Sequence, residues 1–550
     1  YDGEANPAAR VRTNKIGAYV QDDWSVSDNF KLSYGLRIDG LFFNNADLIT
    51  NDTIQKLDYS GRHIDTGKWP ATNIIFSPRI GFVWDTFGDK SLKVRGGTGL
   101  FSGNLPLVFF TNMPTNGGMV QYQAQINAAE AAKKGFNMDQ FAGGLVTDAN
   151  GKATISALYN KLTSLTVTEI AGKIGNLIYP TTISPKDGTV PSAIAAVDPN
   201  FKMPEVWKSS LAVDYSFKTS YPFSVTVEGI FNKTINGVSI SDWSIPSVGG
   251  FARFNGVDNR PIYPASYRTG TKAFVLENTS RGYGWTGNIT FNVQPSEYIS
   301  LMAAYTHTVA KDVTGMPGSN AESAFTYVPT IEGPNNIKLH NSQYGTPDRL
   351  VASLTARDKS GNHFSFIYEG WRGGSNYSYM TANDINGDGY NYDVIYVPTD
   401  NEVANNQFRF VSESDKSRFM DYVHNNDYLK NQQGKYAEAY SVYSPWVHRV
   451  DFGYKHDFTV NAGGHKNKLQ LSLDIKNVMN LFNNSWGVAK YLNPEIGSEA
   501  RILKYEGVDV DGVATFSTPS SIHGKTETFT SSNSLGQCWY ASIGIKYIFN

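Results

Sequence analysis

Residues 539–549 read WYASIGIKYIF and alternate between apolar side chains and polar or small ones. The apolar positions are Trp539, Ala541, Ile543, Ile545, Tyr547 and Phe549. Successive side chains of a β-strand point to opposite faces, so a period of two places these side chains on one face. This stretch therefore predicts a strand with one apolar face and one polar face.

The same alternation recurs along the whole chain and predicts thirteen strands. The second of them places Leu32, Leu36 and Ile38 on one face and Lys31 and Arg37 on the other. Each predicted strand has about 10 to 18 residues, enough to cross a bilayer at a tilt, whereas strands of soluble proteins most often have about 5 or 6. The strands are predicted at residues 14–26, 30–43, 77–87, 91–102, 204–218, 221–236, 277–294, 298–312, 345–358, 362–376, 445–459, 467–482 and 535–549.

The connections between these strands alternate between short turns and long loops. The short turns include residues 27–29, 88–90 and 219–220. The long connections lie at residues 44–76, 103–203, 237–276, 313–344, 377–444 and 483–534. Outer-membrane barrels have short periplasmic turns and long extracellular loops. The sequence therefore predicts an all-β fold, a transmembrane antiparallel β-barrel that contacts lipid in the outer membrane of a Gram-negative bacterium and exposes its long loops outside the cell.

The composition argues against several other classes of protein. Apolar runs stay below the roughly 18 residues of a membrane-spanning helix, and a net charge of -2 gives no reason to expect nucleic acid as a partner. The 550 residues contain no nucleophile elbow, zinc-protease motif or phosphate loop, so we expect no enzymatic activity, no catalytic residues and no required cofactor. The single cysteine, Cys538, is predicted on the lumen side of the last strand.

The strand count leads to an expectation about the rest of the protein. Single-chain bacterial barrels close with an even number of strands, and an open edge would leave unpaired backbone groups in hydrocarbon. Because thirteen is odd, we expect residues 1–550 to be the C-terminal portion of one barrel domain, with its first strands in preceding sequence. Residues 1–13 would then be the end of an extracellular loop.

Eight segments resemble, in the same order, the barrel of TonB-dependent receptors of the Oar-like group. They are IGAYVQDDWSVSDNFKLSYGLRID (16–39), FSPRIGFVWDTFGDKSLKVRGGTGLFSG (76–103), DRLVASL (348–354), FIYEG (366–370), DINGDGYNYDVIYVP (384–398), GKYAEAYSVYSPWVHRVDFGYKHDF (434–458), LQLSLDIKNVMNLFNNSWG (469–487) and YASIGIKYIFN (540–550). The resemblance implies a barrel of about 22 strands, an N-terminal plug domain that lies outside this chain, and a TonB complex as partner. It also implies active import of a scarce or bulky ligand. The chain departs from the family's pattern where Asn550 follows the terminal aromatic Phe549.

Two other functions remain open at this point. A passive porin would use the same kind of barrel, although such long loops argue against it. A surface adhesin or assembly component would use the barrel only to anchor its loops. The loops carry no recognisable signature of a ligand, so the transported substrate is not identified.

One loop segment contains a candidate metal site. Residues 384–393 read DINGDGYNYD, and their first half follows the D-x-[DN]-x-[DN]-G pattern of a calcium-binding loop. Calcium takes about six to eight oxygen ligands, which carboxylate and amide side chains supply around a glycine turn. The candidate ligands are Asp384, Asn386, Asp388 and Asp393, the last in place of a glutamate at the twelfth position, which is Ile395. The alternative is a polar turn cluster that needs no metal.

The 103–203 insert is the longest connection. Residues 105–110 are an apolar run, and the alanine-rich residues 123–134 predict a short helix. The insert would act as a lid over the substrate or as a docking surface for a surface lipoprotein. Alternatively, it only packs over the mouth of the barrel.

Charged side chains alternate onto the inward face of the strands. They are Arg37, Asp39, Arg95, Asp214, Glu228, Arg449, Asp451, Asp474 and Lys476. These groups would line a substrate path, but we expect them to pair with one another or to contact a plug. Trp243 and Trp371 are predicted in loops, where an exposed ring would offer a platform for a sugar.

Overall fold

Thirteen long strands form one continuous antiparallel sheet, which confirms the predicted number of strands. They are β1 (Arg12–Ser27), β2 (Phe30–Asn44), β3 (Asn73–Asp85), β4 (Leu92–Ser102), β5 (Glu205–Ser216), β6 (Phe223–Asp242), β7 (Tyr283–Ser296), β8 (Ile299–Asp312), β9 (Asp348–Arg357), β10 (Asn362–Arg372), β11 (Val447–Ala462), β12 (His465–Lys476) and β13 (Tyr540–Ile548). In this computed structural model each strand pairs with the next, from β1 through to β13. The structure describes residues 9–119, 184–246, 248–496, 499–522, 524 and 527–549, and the backbone of 145–147 and 153–155.

Short turns at one edge of the sheet set its register. They connect β1 to β2, β3 to β4, β5 to β6, β7 to β8, β9 to β10 and β11 to β12. Apolar residues pair with apolar residues across the strands, as Leu471 and Leu473 do with Ile545 and Ile543. Because antiparallel strands reverse direction at every turn, all the long connections leave from the opposite edge.

The apolar face of the sheet is exposed rather than buried. On strands well inside the sheet, Leu211 is 54% exposed, Val227 52% and Phe366 42%. In water, contiguous rows of such side chains would be driven into contact with other apolar surface. Their outward orientation on alternate positions fits strands whose outer face contacts lipid, because lipid is itself apolar.

Three predicted strands extend at one end beyond the residues that pair in the sheet: two of the strands begin later than predicted and one ends earlier. Residues 277–279 belong to a separate strand of the long connection, Lys272–Thr279. After β12, Asn477 adopts a left-handed conformation and begins the helix Val478–Phe482. Before β13, residues 535–537 form a 3-10 turn, so Cys538 is exposed outside the strand. The predicted position of Cys538 on the lumen face is therefore wrong, because strand pairing starts only at Tyr540.

The long connections contain their own short elements. The strands are Leu145–Thr147, Ala153–Ile155, Ala193–Val197, Lys272–Thr279, His340–Asn341, Asn376–Tyr377, Met380–Thr381, Tyr396–Val397, Arg409–Phe410, Lys435–Tyr436, Val442–Tyr443, Lys490–Leu492, Arg501–Val508, Ala514–Ser517 and Phe529–Ser531. The α-helices are Asp52–Gln55, Val108–Thr115, Ala265–Thr269, Ala321–Thr326, Asp400–Ala404, Glu413–His424, Asp427–Gln432 and Val478–Phe482. The 3-10 helices are Pro185–Asp187, Val248–Gly250, Pro334–Asn336, Pro494–Ile496, Ser520–Ile522 and Leu535–Gln537. Within the described ranges, no helix is both long enough and apolar enough to cross a membrane.

The main hydrophobic core lies in the long connections. The first loop core is built mainly from the connections after β10 and β12. In it, Phe408 stacks on Phe516 with ring centroids 4.5 Å apart, and Phe419 is 0% exposed. Each fully buried phenylalanine contributes roughly 1.5–3 kcal/mol through removal of its surface from water. These two connections therefore fold as one packed unit.

The second loop core joins the connections after β2, β4, β6 and β8. Phe110, from the helix Val108–Thr115, packs edge-on against Phe201 at 5.6 Å and is 0% exposed. The apolar run at 105–110 thus packs into this core, whereas the helix predicted at 123–134 lies outside the described residues. A smaller third cluster surrounds Ile54 and Val275. We call the long connections that share these cores the loop assembly.

Candidate functional site

The Asp/Asn/Gly-rich segment predicted as a metal loop forms a tight turn in the connection between β10 and β11. Its aspartates accept hydrogen bonds from nearby backbone amides, since the Asp384 carboxylate accepts from Gly387 N at 2.7 Å and from Gly389 N at 2.9 Å. Gly387 has a φ of +80°, a conformation that glycine adopts without steric cost. The Asp388 carboxylate accepts from Tyr390 N at 2.8 Å. The spacing of acidic residues and glycines thus folds the segment locally.

This turn brings together the predicted site residues. Carboxylate oxygens of Asp384, Asp388 and Asp393 lie within 4.8 Å of one another, and we call these three residues the acidic site. Asp388 is 2% exposed and Asp393 1%, whereas Asp384 is half-buried at the edge. Asn386 lies beside them, but its amide nitrogen faces the carboxylates and donates to Asp388 and Asp393 at 3.1 Å. Asn386 therefore positions two of the carboxylates rather than presenting an oxygen to them.

Arg260, from the connection between β6 and β7, completes the site, and sequence reasoning missed it. Its Nη1 lies 3.3 Å from Asp393, and its guanidinium donates to Asp258 at 2.8 and 3.0 Å and to the carbonyl of Val394 at 2.9 Å. Arg260 is 0% exposed. No local pattern signals this contact, because 133 positions along the chain separate Arg260 from Asp393. A buried guanidinium needs carboxylate partners, because an unpaired charge in the low-dielectric interior is strongly destabilising.

Burial dominates the electrostatics of the site. Burial, reinforced by the negative charge of Asp384, raises the pKa of Asp388 to about 7. Burial and the charge of Asp388 raise the pKa of Asp393 well above its usual value. Burial alone would lower the pKa of Arg260, but Asp258 and Asp393 raise it above the ordinary value for arginine. One oxygen of Asp393, Oδ2, is buried without a hydrogen-bond partner. An unpartnered buried carboxylate oxygen is costly unless a proton or a cation accompanies it.

A third connection also reaches the acidic site. Thr330, between β8 and β9, pairs with Asp393 as an isolated bridge, and Val394 N donates to its carbonyl at 3.0 Å. From the connection between β6 and β7, Tyr263 N donates to the carbonyl of Asn386 at 2.8 Å. The acidic site therefore lies where three long connections meet.

The inward-facing charges predicted on the strands largely pair with one another. The ion pairs are Arg37 with Asp39 at 2.7 Å, Arg95 with Asp214 at 3.0 Å and with Glu228 at 3.4 Å, and Lys476 with Asp451 at 2.7 Å. Arg449 donates to the carbonyl of Gly487 at 2.9 Å and to the side chain of Gln537. This pairing agrees with the expectation that these residues interact with each other.

The two tryptophans considered as sugar platforms do not lie in exposed loops. Trp243 is 7% exposed and packs in the third cluster, with the guanidinium of Arg62 4.4 Å above its ring. Trp371 belongs to β10, and the guanidinium of Arg449 lies 5.3 Å from its ring. Trp243 thus lies in a long connection, as predicted, but its ring is buried, whereas the prediction that Trp371 is a loop residue is wrong because Trp371 belongs to a strand.

Comparisons with known proteins give one family and several solved structures. Residues 2–495 match the family described as "Outer membrane beta barrel domain". The FrpB iron transporter from Neisseria meningitidis is 10% identical, covering 86% of this chain and 42% of its own, with a TM-score of 0.37. The outer membrane transporter YddB from Escherichia coli is 9% identical, covering 98% and 54%, with a TM-score of 0.37. The siderophore receptor PirA from Pseudomonas aeruginosa is 8% identical, covering 85% and 45%, with a TM-score of 0.33.

This chain thus spans about half the length of the structures it matches. No curated protein sequence matches it at a significant level.

Proposed function

Because this chain belongs to the outer membrane beta barrel domain family, we propose that it forms the barrel wall and ligand-capturing loops of an active importer. The chain is an outer-membrane β-barrel protein of a Gram-negative bacterium. The proposed importer is of the TonB-dependent kind and takes up a scarce or bulky ligand. The Oar-like assignment belongs to the same proposal and rests on the eight resembling segments.

The packing of the long connections carries this proposal. Their described residues share two large loop cores and a smaller cluster, so these parts of the connections form one packed surface on the extracellular side rather than separate loops. Capture of a ligand requires side chains that a rigid scaffold holds in place. A passive pore needs no such scaffold, because its loops only have to leave a water-filled path.

The paired charges on the inner face of the sheet support a second element of the proposal. Ion pairs such as Arg37 with Asp39 and Arg95 with Asp214 provide a polar inner wall. Such a wall suits contact with a plug domain contributed by the rest of the protein, which would in turn engage the TonB complex. A surface lipoprotein that docks on the loop assembly would be a further partner. The barrel would act without enzymatic activity and without a required cofactor.

The test uses the full-length protein in its native bacterium. Four strains are compared: wild type, a deletion of the gene for this protein, a deletion of the TonB gene, and the double deletion. Each strain grows in the same complex medium, and mass spectrometry measures the compounds that remain in the spent medium. We expect at least one compound that the wild type removes and that persists equally in the other three strains.

Two outcomes would contradict active import. A compound whose removal requires this protein but not TonB would indicate a passive porin. If no compound depends on this protein while attachment of the cells to surfaces does, the barrel anchors an adhesin or an assembly component.

A further inference from the structure

We propose that the acidic site binds one Ca²⁺ ion, which holds three extracellular connections together. The carboxylates of Asp384, Asp388 and Asp393 supply the ligands, and Asn386 and Arg260 position them. This proposal concerns the loop assembly and does not depend on whether the barrel imports a ligand. It would hold equally for a porin or an adhesin.

The distances among the carboxylates fit one calcium ion. Calcium binds oxygen at about 2.3–2.6 Å, so ligand oxygens on opposite sides of one ion lie about 5 Å apart. Carboxylate oxygens of the acidic site lie within 4.8 Å of one another. Each of the three carboxylates offers one oxygen within this distance, and the half-buried edge at Asp384 leaves room for water to complete the coordination sphere.

The unpartnered oxygen of Asp393 is available as a ligand for a cation. Asp393 is 1% exposed, and its Oδ2 has no hydrogen-bond partner, although the carboxylate belongs to the acidic site. Within the described part of the chain, Arg260 is the only positively charged side chain within 4.0 Å of these three carboxylates. Arg260 also neutralises Asp258, to which it donates two hydrogen bonds. When its three carboxylates are ionised, the acidic site therefore carries a net negative charge that a divalent cation would neutralise.

The architecture favours calcium over magnesium. Magnesium keeps several of its waters and requires near-ideal octahedral geometry at about 2.0–2.1 Å. Asp388 and Asp393 are almost fully buried, which leaves little space for a shell of water on their side of the site. Calcium accepts irregular, carboxylate-rich coordination with more ligands and longer bonds. We therefore expect selectivity for calcium.

Calcium binding would stabilise the meeting point of three connections. Asp393 pairs with Thr330 of the connection after β8, and Asn386 accepts from Tyr263 of the connection after β6. A ligand that binds only the folded arrangement stabilises it in proportion to its concentration and affinity. The ion would thus order loops from separate parts of the chain.

The experiment uses the full-length protein in detergent, after removal of metal with a chelator. Tb³⁺ replaces Ca²⁺ in such sites and emits light when a nearby tyrosine is excited, and Tyr390 lies two residues from Asp388. We expect sensitised Tb³⁺ emission that Ca²⁺ displaces at least tenfold more effectively than Mg²⁺. We also expect Ca²⁺ to slow hydrogen exchange in residues 385–397 at least tenfold relative to the chelator.

Three variants locate the ion. Asp388→Asn and Asp393→Asn keep the shape of the side chain but remove its charge, and each should abolish the Tb³⁺ emission. Asp384→Asn, at the half-buried edge, should weaken Ca²⁺ binding at least tenfold without unfolding the loops. The control is Asp511→Asn, in the Asp-Gly turn at residues 511–512, where the carboxylate pairs with Arg409 and is 61% exposed. This control should bind Tb³⁺ and Ca²⁺ as the wild type does.

Several results would overturn the proposal. They are the absence of Tb³⁺ emission from the wild type, equal loss in Asp384→Asn and Asp511→Asn, and displacement by Mg²⁺ as effective as by Ca²⁺. Hydrogen exchange that is the same with Ca²⁺ and with the chelator would also overturn it. Because hydrogen exchange is measured on the wild type, the proposal can fail even if the buried variants do not fold.

Discussion

Replacement of Arg260 by methionine tests how far one buried charge supports the loop assembly. Arg260 is 0% exposed and holds Asp258, Asp393 and the carbonyl of Val394 through its guanidinium. Methionine occupies a similar space but has no donor, so two buried carboxylates would lose their counter-ion. Removal of one partner of a buried ion pair costs about 3–5 kcal/mol. We expect a loss of this size in the local stability of the connections that meet at the acidic site.

Hydrogen exchange followed by mass spectrometry measures this local stability. With metal removed by a chelator, a loss of 3–5 kcal/mol corresponds to exchange about 150- to 5,000-fold faster in residues 385–397. Exchange in the strands β11 and β12 should not change, since they lie outside the loop cores. The matched control is Arg253→Met, in the same connection, because Arg253 pairs with Glu332 at 3.1 Å but is 36% exposed. Exposed pairs contribute less than about 1 kcal/mol, so the control should change exchange by less than about fivefold.

Similar exchange in the two variants would show that burial of the Arg260 ion pair does not add to local stability. If Arg260→Met exchanges within about fivefold of the wild type, the buried ion pair does not hold the connections together. Faster exchange that extends into β11 and β12 would contradict the separation between loop assembly and sheet.

Two further substitutions in the loop assembly give measurable results. Burial tends to raise the pKa of Asp415, but hydrogen bonds, including one from Thr518 N at 2.9 Å, lower it overall. Because a lowered pKa means that the unfolded state binds more protons, the contribution of Asp415 is complete above about pH 4 and is lost as the pH falls below that value. Asp415→Asn should flatten this acid dependence in thermal unfolding between about pH 2 and pH 5, and an unchanged profile would contradict the assignment. Gly333 has a φ of +92°, and a Cβ there would lie 1.7 Å from the hydroxyl of Tyr263, so Gly333→Ala should destabilise by at least about 1–3 kcal/mol. Gly315→Ala, which meets open space, should be nearly neutral in the same thermal assay, and equal effects would refute the steric explanation.

The strands of the sheet could be predicted from sequence because the alternation of apolar and polar residues is a local pattern. Alternation with a period of two depends only on neighbouring residues, so all thirteen strands were found from patterns such as that in β13. The errors occur where the alternation continues past the last paired residue. Asn477 shows the reason, since its left-handed conformation ends β12 although Met479 and Leu481 continue the apolar positions of the pattern.

The loop assembly could be predicted only in part, because its contacts join distant residues. The spacing of aspartates and glycines in residues 384–393 is enough to predict both the turn and the acidic site, because all of their residues lie in this one segment. Arg260 and Thr330 come from other connections, and no local pattern links either of them to Asp393. The same holds for the first loop core, where Phe408 stacks on Phe516.

The hydrophobic cores lie in the long connections and not in the sheet, so the two parts of this chain meet different physical requirements. Side chains such as Leu211 and Val227 face outward from the sheet, whereas Phe408 and Phe516 are buried among the connections. The sheet is therefore constrained by the thickness and chemistry of the membrane, and the loop assembly by ordinary packing in water. Substitutions in one part need little compensation in the other. The surface of the loop assembly can therefore change while the lipid-facing surface of the sheet stays the same.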